Sequence, residues 1–194
     1  MTMNLHKEAF HLSSYYGDRE DRLEHGEIIP YEGYDGSPNF QAARANLPPL
    51  IRIQAHTTAL HETDVPHTDL HPVITNRVWD CIRSFGPVDV KPIPVQFEDR
   101  QTEAITKGQH VYLHQMVFAD LLDREASRYK ESKALPGSLR VRHLVLACPQ
   151  NGFPPMFRVL HDETKIFVNG EVKQALEAMG ATGMRFFPVE VSGA

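Results

Sequence analysis

The densest collection of groups able to do chemistry is the run H-T-T-A-L-H-E-T-D-V-P-H-T-D-L-H, residues 56–71, where His56, His61, His67 and His71 stand among Glu62, Asp64 and Asp69. Imidazole and carboxylate are zinc-ligand types, so one reading of the chain is a metal-dependent enzyme built on the His56–His71 cluster. The spacing favours a solvated polar loop instead. His67 and His71 become neighbours only on a helix, and Pro72 drives His71 out of helical conformation. Neither a cysteine pair nor an H-E-x-x-H helix is present to fix a metal. His110 and His114 also lie four residues apart, in a segment that reads as strand. There they would share a face about 13 Å apart, too far for one ion, and they are expected on a sheet surface. No metal and no other cofactor is expected.

Other catalytic patterns fail as well. G-x-S-x-G is absent, and neither Cys81 nor Cys148 has the local signature of an activated thiol. Cys81 falls inside a helical pattern and reads as a small core residue. The glycine patterns that cradle phosphate, G-x-G-x-x-G and the P-loop, are missing. Carboxylates cluster at Asp120, Asp123 and Glu125 and again at Asp162 and Glu163. Both groups sit in turn-like stretches, where acids face water. No residue set marks an enzyme.

Charge is placed unevenly. Residues 1–71 hold 11 acidic and 5 basic residues, a balance of −6, whereas residues 72–194 hold 14 and 15, a balance of +1. The excess is densest between Asp18 and Asp35, and tyrosines flank it. Aromatic rings supply buried area and carboxylates steer a cationic partner. Tyr15, Tyr16, Asp18, Glu20, Asp21, Glu24, Glu27, Tyr31, Tyr34 and Asp35 therefore form a candidate surface for a basic protein. The same residues equally suit a solvated loop whose tyrosines pack locally. Such a surface repels nucleic acid, and no nucleic-acid partner is expected.

The elements that must position these groups are announced by a repeated phrase. From Val73 the chain reads V-I-T-N-R-V-W-D-C-I-R-S-F-G-P-V-D-V-K-P-I-P-V-Q-F, and from Ile166 it reads I-F-V-N-G-E-V-K-Q-A-L-E-A-M-G-A-T-G-M-R-F-F-P-V-E-V. Val78, Ile82, Phe85, Gly86, Lys91, Pro94 and Val95 answer to Val172, Leu176, Met179, Gly180, Arg185, Pro188 and Val189 at an offset of 94. Asn76 answers to Asn169 at an offset of 93, so one inserted residue reconciles the copies. In each copy an Asn caps a short helix, apolar residues recur at helical spacing, a Gly stops the helix and an extended segment follows.

Elsewhere, Gly, Pro and Ser punctuate residues 1–71, leaving short strands near Ala9–Leu12 and Leu50–Gln54. Strands are expected over residues 110–120 and Leu139–Ala147, and Met156–Leu160 with Lys165–Val168 reads as a hairpin. Residues 120–135 are expected to be turn or irregular. The fold class is α+β, a mixed or antiparallel sheet with short helices and two echoing helix-Gly-strand units. The division is an irregular acidic segment, 1–71, and an α+β core, 72–194. No apolar run approaches the roughly 20 residues that span a bilayer, and no secretion signal is visible. Two cysteines make no disulfide framework, so a reducing cytoplasm is expected.

Several segments, in order, carry a likeness to a known family: P-V-I-T-N-R-V-W-D-C-I-R-S-F-G-P-V-D-V-K-P-I-P-V from Pro72, F-A-D-L-L-D-R-E-A-S-R-Y from Phe118, F-R-V-L from Phe157, and the second repeat from Ile166 to Phe186. Over residues 72 to 191 the chain resembles bacterial immunity protein family 11, earlier catalogued as domain of unknown function 1629. Where members usually show Ser before the helix, this chain has Asn76 and Asn169; both types cap helices. The resemblance implies a cytoplasmic antidote, encoded beside a polymorphic toxin, that binds its cognate toxin domain without catalysis. It transfers no catalytic or toxin-contact residues. The acid-and-tyrosine surface is a separate inference, suited to a nuclease toxin whose basic cleft grips phosphate. Residues 1–71 match less clearly, and the oligomeric state is open.

Overall fold

The structure, a computed structural model, describes residues 5–14, 27–28, 48–55, 62–68, 72–115, 117–131 and 139–193. In these residues the fold is α+β, strand-rich with two short α-helices. The repeated phrase is one folded unit used twice. In the first copy β4 (Val73–Thr75) leads into α1 (Asn76–Ser84) and then β5 (Val90–Asp99). In the second, β11 (Asp162–Asn169) leads into α2 (Gly170–Ala178) and then β12 (Met184–Pro188).

Neither pair of flanking strands is adjacent. In the first unit β6 (Ile105–Gln115) lies between β4 and β5, antiparallel to both. In the second, β1 (Ala9–Ser14) lies between β11 and β12, also antiparallel to both. The register is shared. Tyr112 faces Val73 and Ile93, and His11 faces Phe167 and Phe187, the counterparts 94 residues on. The likeness extends one strand further. β3 (Ile51–Ala55) runs parallel to the end of β5, with Ile53 opposite Phe97. β9 (Val145–Ala147) runs parallel to β13 (Glu190–Ser192), with Leu146 opposite Val191. Strands from either side of residue 71 thus share the sheets, and the acidic N-terminal third supplies β1 to the second unit.

The helix boundaries correct the expected caps. The N-caps are Thr75 and Asn169, both extended, so the two copies align at a constant offset of 94 and no residue is inserted. Asn169 caps as expected, accepting from the Val172 amide at 3.0 Å and donating to the Phe153 carbonyl at 3.2 Å. Asn76 does not cap. It is the first helical residue, and its amide donates to the Gly108 carbonyl. The two glycines also differ. Gly180, at φ 65°, completes a paired C-terminal turn in which its own amide reaches Glu177 and the Ala181 amide reaches Leu176. Pro87 has no amide to make that last bond, and Gly86 takes φ 141° instead.

Both helices bury the same face. Val78 and Ile82 in α1 and Val172 and Leu176 in α2 are at most 1 % exposed. They meet in one cluster with Ile74, Val111 and Leu113 of the first unit and Leu12 and Val168 of the second. At about 1.5–3 kcal/mol per fully buried aliphatic side chain, this shared cluster is the main cohesion between the units. The opposite faces of the two sheets have clusters of their own, Val73, Ile93, Val95 and Tyr112 on one and Phe153, Phe157, Val159 and Phe167 on the other.

Two other segments differ from expectation. Residues 120–135 are not wholly irregular: Arg128–Glu131 forms β7, which pairs with β8 (Leu139–His143). The run 139–147 is two strands, β8 and β9, because Leu144 breaks it and the halves join different sheets. The hairpin of β10 (Met156–Val159) and β11 turns at His161, with φ 72°. A two-residue strand, β2 (Glu27–Ile28), pairs with β3. No helix of the described residues is long and apolar enough to cross a membrane.

The cap assignment has a direct test. Asn169→Ala removes a buried cap and a second hydrogen bond, and should lower unfolding free energy by about 2 kcal/mol. Asn76→Ala should cost only a few tenths, because an exposed first-turn side chain is lost. Urea unfolding of both variants checks it; equal losses would return the capping role to Asn76.

Candidate functional site

The most elaborated polar site lies at the seam of the two units. The segment 62–68 runs alongside the first unit, where the Asp64 carbonyl accepts from the Thr75 amide at 2.9 Å. It also touches the second, where the Val65 amide donates to the Thr182 carbonyl at 3.2 Å. The approach is so close that a Cβ on Gly183 would lie 2.6 Å from the Val65 carbonyl oxygen, and Gly183 is held at φ 76°. Only glycine fits there.

Asp64 is 4 % exposed and its carboxylate is fully engaged. Oδ1 accepts from the Thr75 hydroxyl at 2.7 Å and from Arg77 Nε at 2.6 Å. Oδ2 accepts from the second Arg77 nitrogen, from the Thr182 amide at 2.9 Å and from the Thr182 hydroxyl at 3.2 Å. Burial alone pushes this carboxyl up. The hydrogen bonds from Arg77, Thr182 and Thr75, together with the Arg77 charge, outweigh burial and hold it well below the ordinary carboxylate range.

Thr75 spends its hydroxyl on Asp64, so it caps α1 with no side-chain hydrogen bond. Arg77 sits in the first turn of that helix, where the helix dipole disfavours a cation; the buried carboxylate offsets this. Glu62, Asn76, Gln109 and Arg77 then line an open cleft of about 560 Å³ with Asp64, Thr75 and Thr182 at its wall. A carboxylate tied by this many donors is no general base and no free metal ligand. What the cleft offers a ligand is the half-exposed guanidinium with the amides of Gln109 and Asn76, a polar recognition surface.

A second, shallower cleft of about 260 Å³ lies on the outer face of the second unit, between His11, Lys165, Phe167 and Phe187, with the His143–Glu190 pair at 3.1 Å on its rim. Burial and the Lys165 charge lower the His11 pKa. Phe187 is 48 % exposed there, whereas its counterpart Ile93 is 1 % exposed.

Of the residues singled out in the sequence, most of the acid-and-tyrosine surface lies outside the described residues: Tyr15, Tyr16, Asp18, Glu20, Asp21, Glu24, Tyr31, Tyr34 and Asp35. Only Glu27 is described, by its backbone in β2 opposite Gln54. From the histidine cluster, His56, His61, His71 and Asp69 also lie outside. His67 is half-buried, and burial brings its imidazole down to about 4. Asp64 is committed to Arg77. Among the described residues no group of three His, Cys, Asp or Glu side chains is placed to hold a metal ion.

His110 and His114 are not on a surface; they are 3 % and 1 % exposed. β6 is an interior strand covered on both faces, and the residues at 110, 112 and 114 point into the cluster on its outer side. His110 meets the Phe97 ring edge-on at 5.1 Å, and its Nε2 lies 3.0 Å from the Thr63 carbonyl. The Asp64–Arg77–Thr182 linkage was missed in the sequence, although a cation in the first turn of a helix is itself a signal that a carboxylate must be near.

Compared with known proteins, the chain matches no protein-family model and no curated sequence.

Asp64 should make stability depend on acid. Its folded-state pKa is depressed, so its contribution is complete above the unfolded value of about 3.9 and is lost as pH falls below it. Asp123, lowered by the Ser192 hydroxyl and the Ala126 and Glu125 amides, acts in the same direction. Asp64→Asn should cost about 3 kcal/mol at neutral pH and flatten, without abolishing, the decline below pH ~4. Denaturant titrations across this window check it; an unchanged decline would remove Asp64 as its source.

Proposed function

We propose that the protein is an immunity protein that binds a cognate toxin domain, encoded by a neighbouring gene, and neutralises it in the bacterial cytoplasm without catalysis. What carries this reading is the resemblance of residues 72–191, segment by segment, to bacterial immunity protein family 11, a likeness of motif order below the level at which a family model matches. The first and last of the segments that bear it fall in the two β-α-β units and supply much of their shared core, so the likeness falls largely on the scaffold. The contact surface is then a matter of this chain's own sequence, and the stretch from Asp18 to Asp35 with its tyrosines is the strongest candidate. A nuclease toxin presents a basic cleft to phosphate. An acidic surface steers association with such a cleft and excludes the nucleic acid by occupying it.

The tagged protein, captured from its native host, should retain one toxin domain in near-equal amount. Charge reversal at Asp18, Glu20, Asp21 and Glu24 should weaken that complex at least about tenfold, and added salt should weaken the parent complex. Capture of no partner from cells that express the toxin would overturn the function. Unchanged affinity after charge reversal would overturn only the contact surface.

A further inference from the structure

The ribbon of β7 and β8 is built asymmetrically. Tyr129, Leu139, Val141 and His143 are half-buried, whereas Arg128, Lys130, Arg140 and Arg142 are exposed. Lys130 stands directly opposite Arg140, and Arg142 is the extra residue where the register shifts between Arg128 and Tyr129. Like charges facing each other across a strand pair destabilise it. Some cations elsewhere have carboxylates: Arg83 has Asp80 at 2.8 Å, Lys173 has Glu177 at 2.7 Å, and Lys165 has Asp162 at 2.7 Å. Among the described residues none of the four ribbon cations forms an ion pair, and none of their side chains has a hydrogen bond. Among the described residues no third strand pairs with either edge of the ribbon.

A single lysine on an edge strand is enough to discourage aggregation. Four exposed cations with no partner among the described residues exceed that need and oppose the ribbon's own pairing. An open backbone edge beside a row of cations is instead a receptor for an extended acidic strand, whose backbone would complete the sheet while its carboxylates meet the cations. The bulge at Arg142 breaks regular pairing along β8, which leaves β7 as the usable edge. Arg128 and Lys130 lie on one face of β7 at every second residue, about 7 Å apart. The incoming strand must therefore carry its carboxylates at alternate positions. A polyphosphate fits less well: it has no use for the backbone edge, and the chain's net charge of −5 opposes it at long range.

We propose that β7 is a strand-addition site for an extended acidic segment of a partner protein with Asp or Glu at alternate positions. The site does not depend on the toxin reading.

The test uses the full chain and a short fluorescein-labelled peptide of alternating Glu and Thr, followed by anisotropy. Three controls accompany it: a peptide of the same composition with all its Glu adjacent, an alternating peptide N-methylated on alternate amides, and a single-stranded oligonucleotide. The alternating peptide should bind saturably and more weakly as salt rises, and both peptide controls should bind about tenfold less well. Arg128→Glu with Lys130→Glu should lower its affinity at least about tenfold. Arg52→Glu, an exposed reversal on β3, should leave it unchanged. Circular dichroism should match the parent in both variants, and neither unfolding midpoint should fall, since only exposed side chains change and Lys130→Glu turns a like-charge pair with Arg140 into an opposite one. Equal affinity for the alternating and N-methylated peptides, or tighter binding of the oligonucleotide, would overturn the proposal.

Discussion

One buried carboxylate decides how the two halves of this molecule meet. Asp64 takes donors from the N-cap of α1, from the first turn of α1, and from the loop that follows α2. An ionised group out of water is tolerated only when its lone pairs are satisfied. Removing any of these donors therefore leaves a charge without full compensation. The apolar cluster between the units supplies attraction but little direction. The carboxylate supplies direction, because its donors come from both units and fit one relative placement.

The two units show how one packing solution diverges under different local demands. Val78 and Val172, or Ile82 and Leu176, do the same work at equivalent positions. The caps have parted. In the second unit the N-cap side chain serves its own helix; in the first, Thr75 serves Asp64 and leaves the helix amides to themselves. The outer faces have parted too, with Ile93 enclosed and Phe187 half in water. What remained equal is the register of the strands, since a slip of one residue would turn every core side chain outward.

Much of this was legible in the sequence. Helical spacing at Val78, Ile82, Val172 and Leu176, punctuated by Gly86 and Gly180, announced both units, and short β-rich runs announced most strands. The cap in the first unit was misread because Asn is a better cap than Thr in isolation, and only Asp64's demand on Thr75 reverses that preference. His110 and His114 were placed on a surface because polarity was taken for exposure. Their burial depends on β6 being interior, which follows from pairings distant in sequence. β7 was hidden by its charges: three of its four residues are charged and exposed, and only Tyr129 is half-buried. The seam at Asp64 was illegible for a related reason, since Thr182 and Asp64 come together only when the duplicate units dock.

The placement of β1 has a bearing on how the chain reaches this state. The first unit is contiguous from Val73 to Gln115 and can close its sheet from neighbouring residues. The second cannot, because its middle strand pairs Ala9 with Asn169. During synthesis β1 emerges well before β11 and β12, the strands that pair with its two edges. Closure of such a distant pair is entropically costly and slow relative to local pairing. The second unit should therefore mature after the first, with β1 vulnerable to aberrant association in the interval.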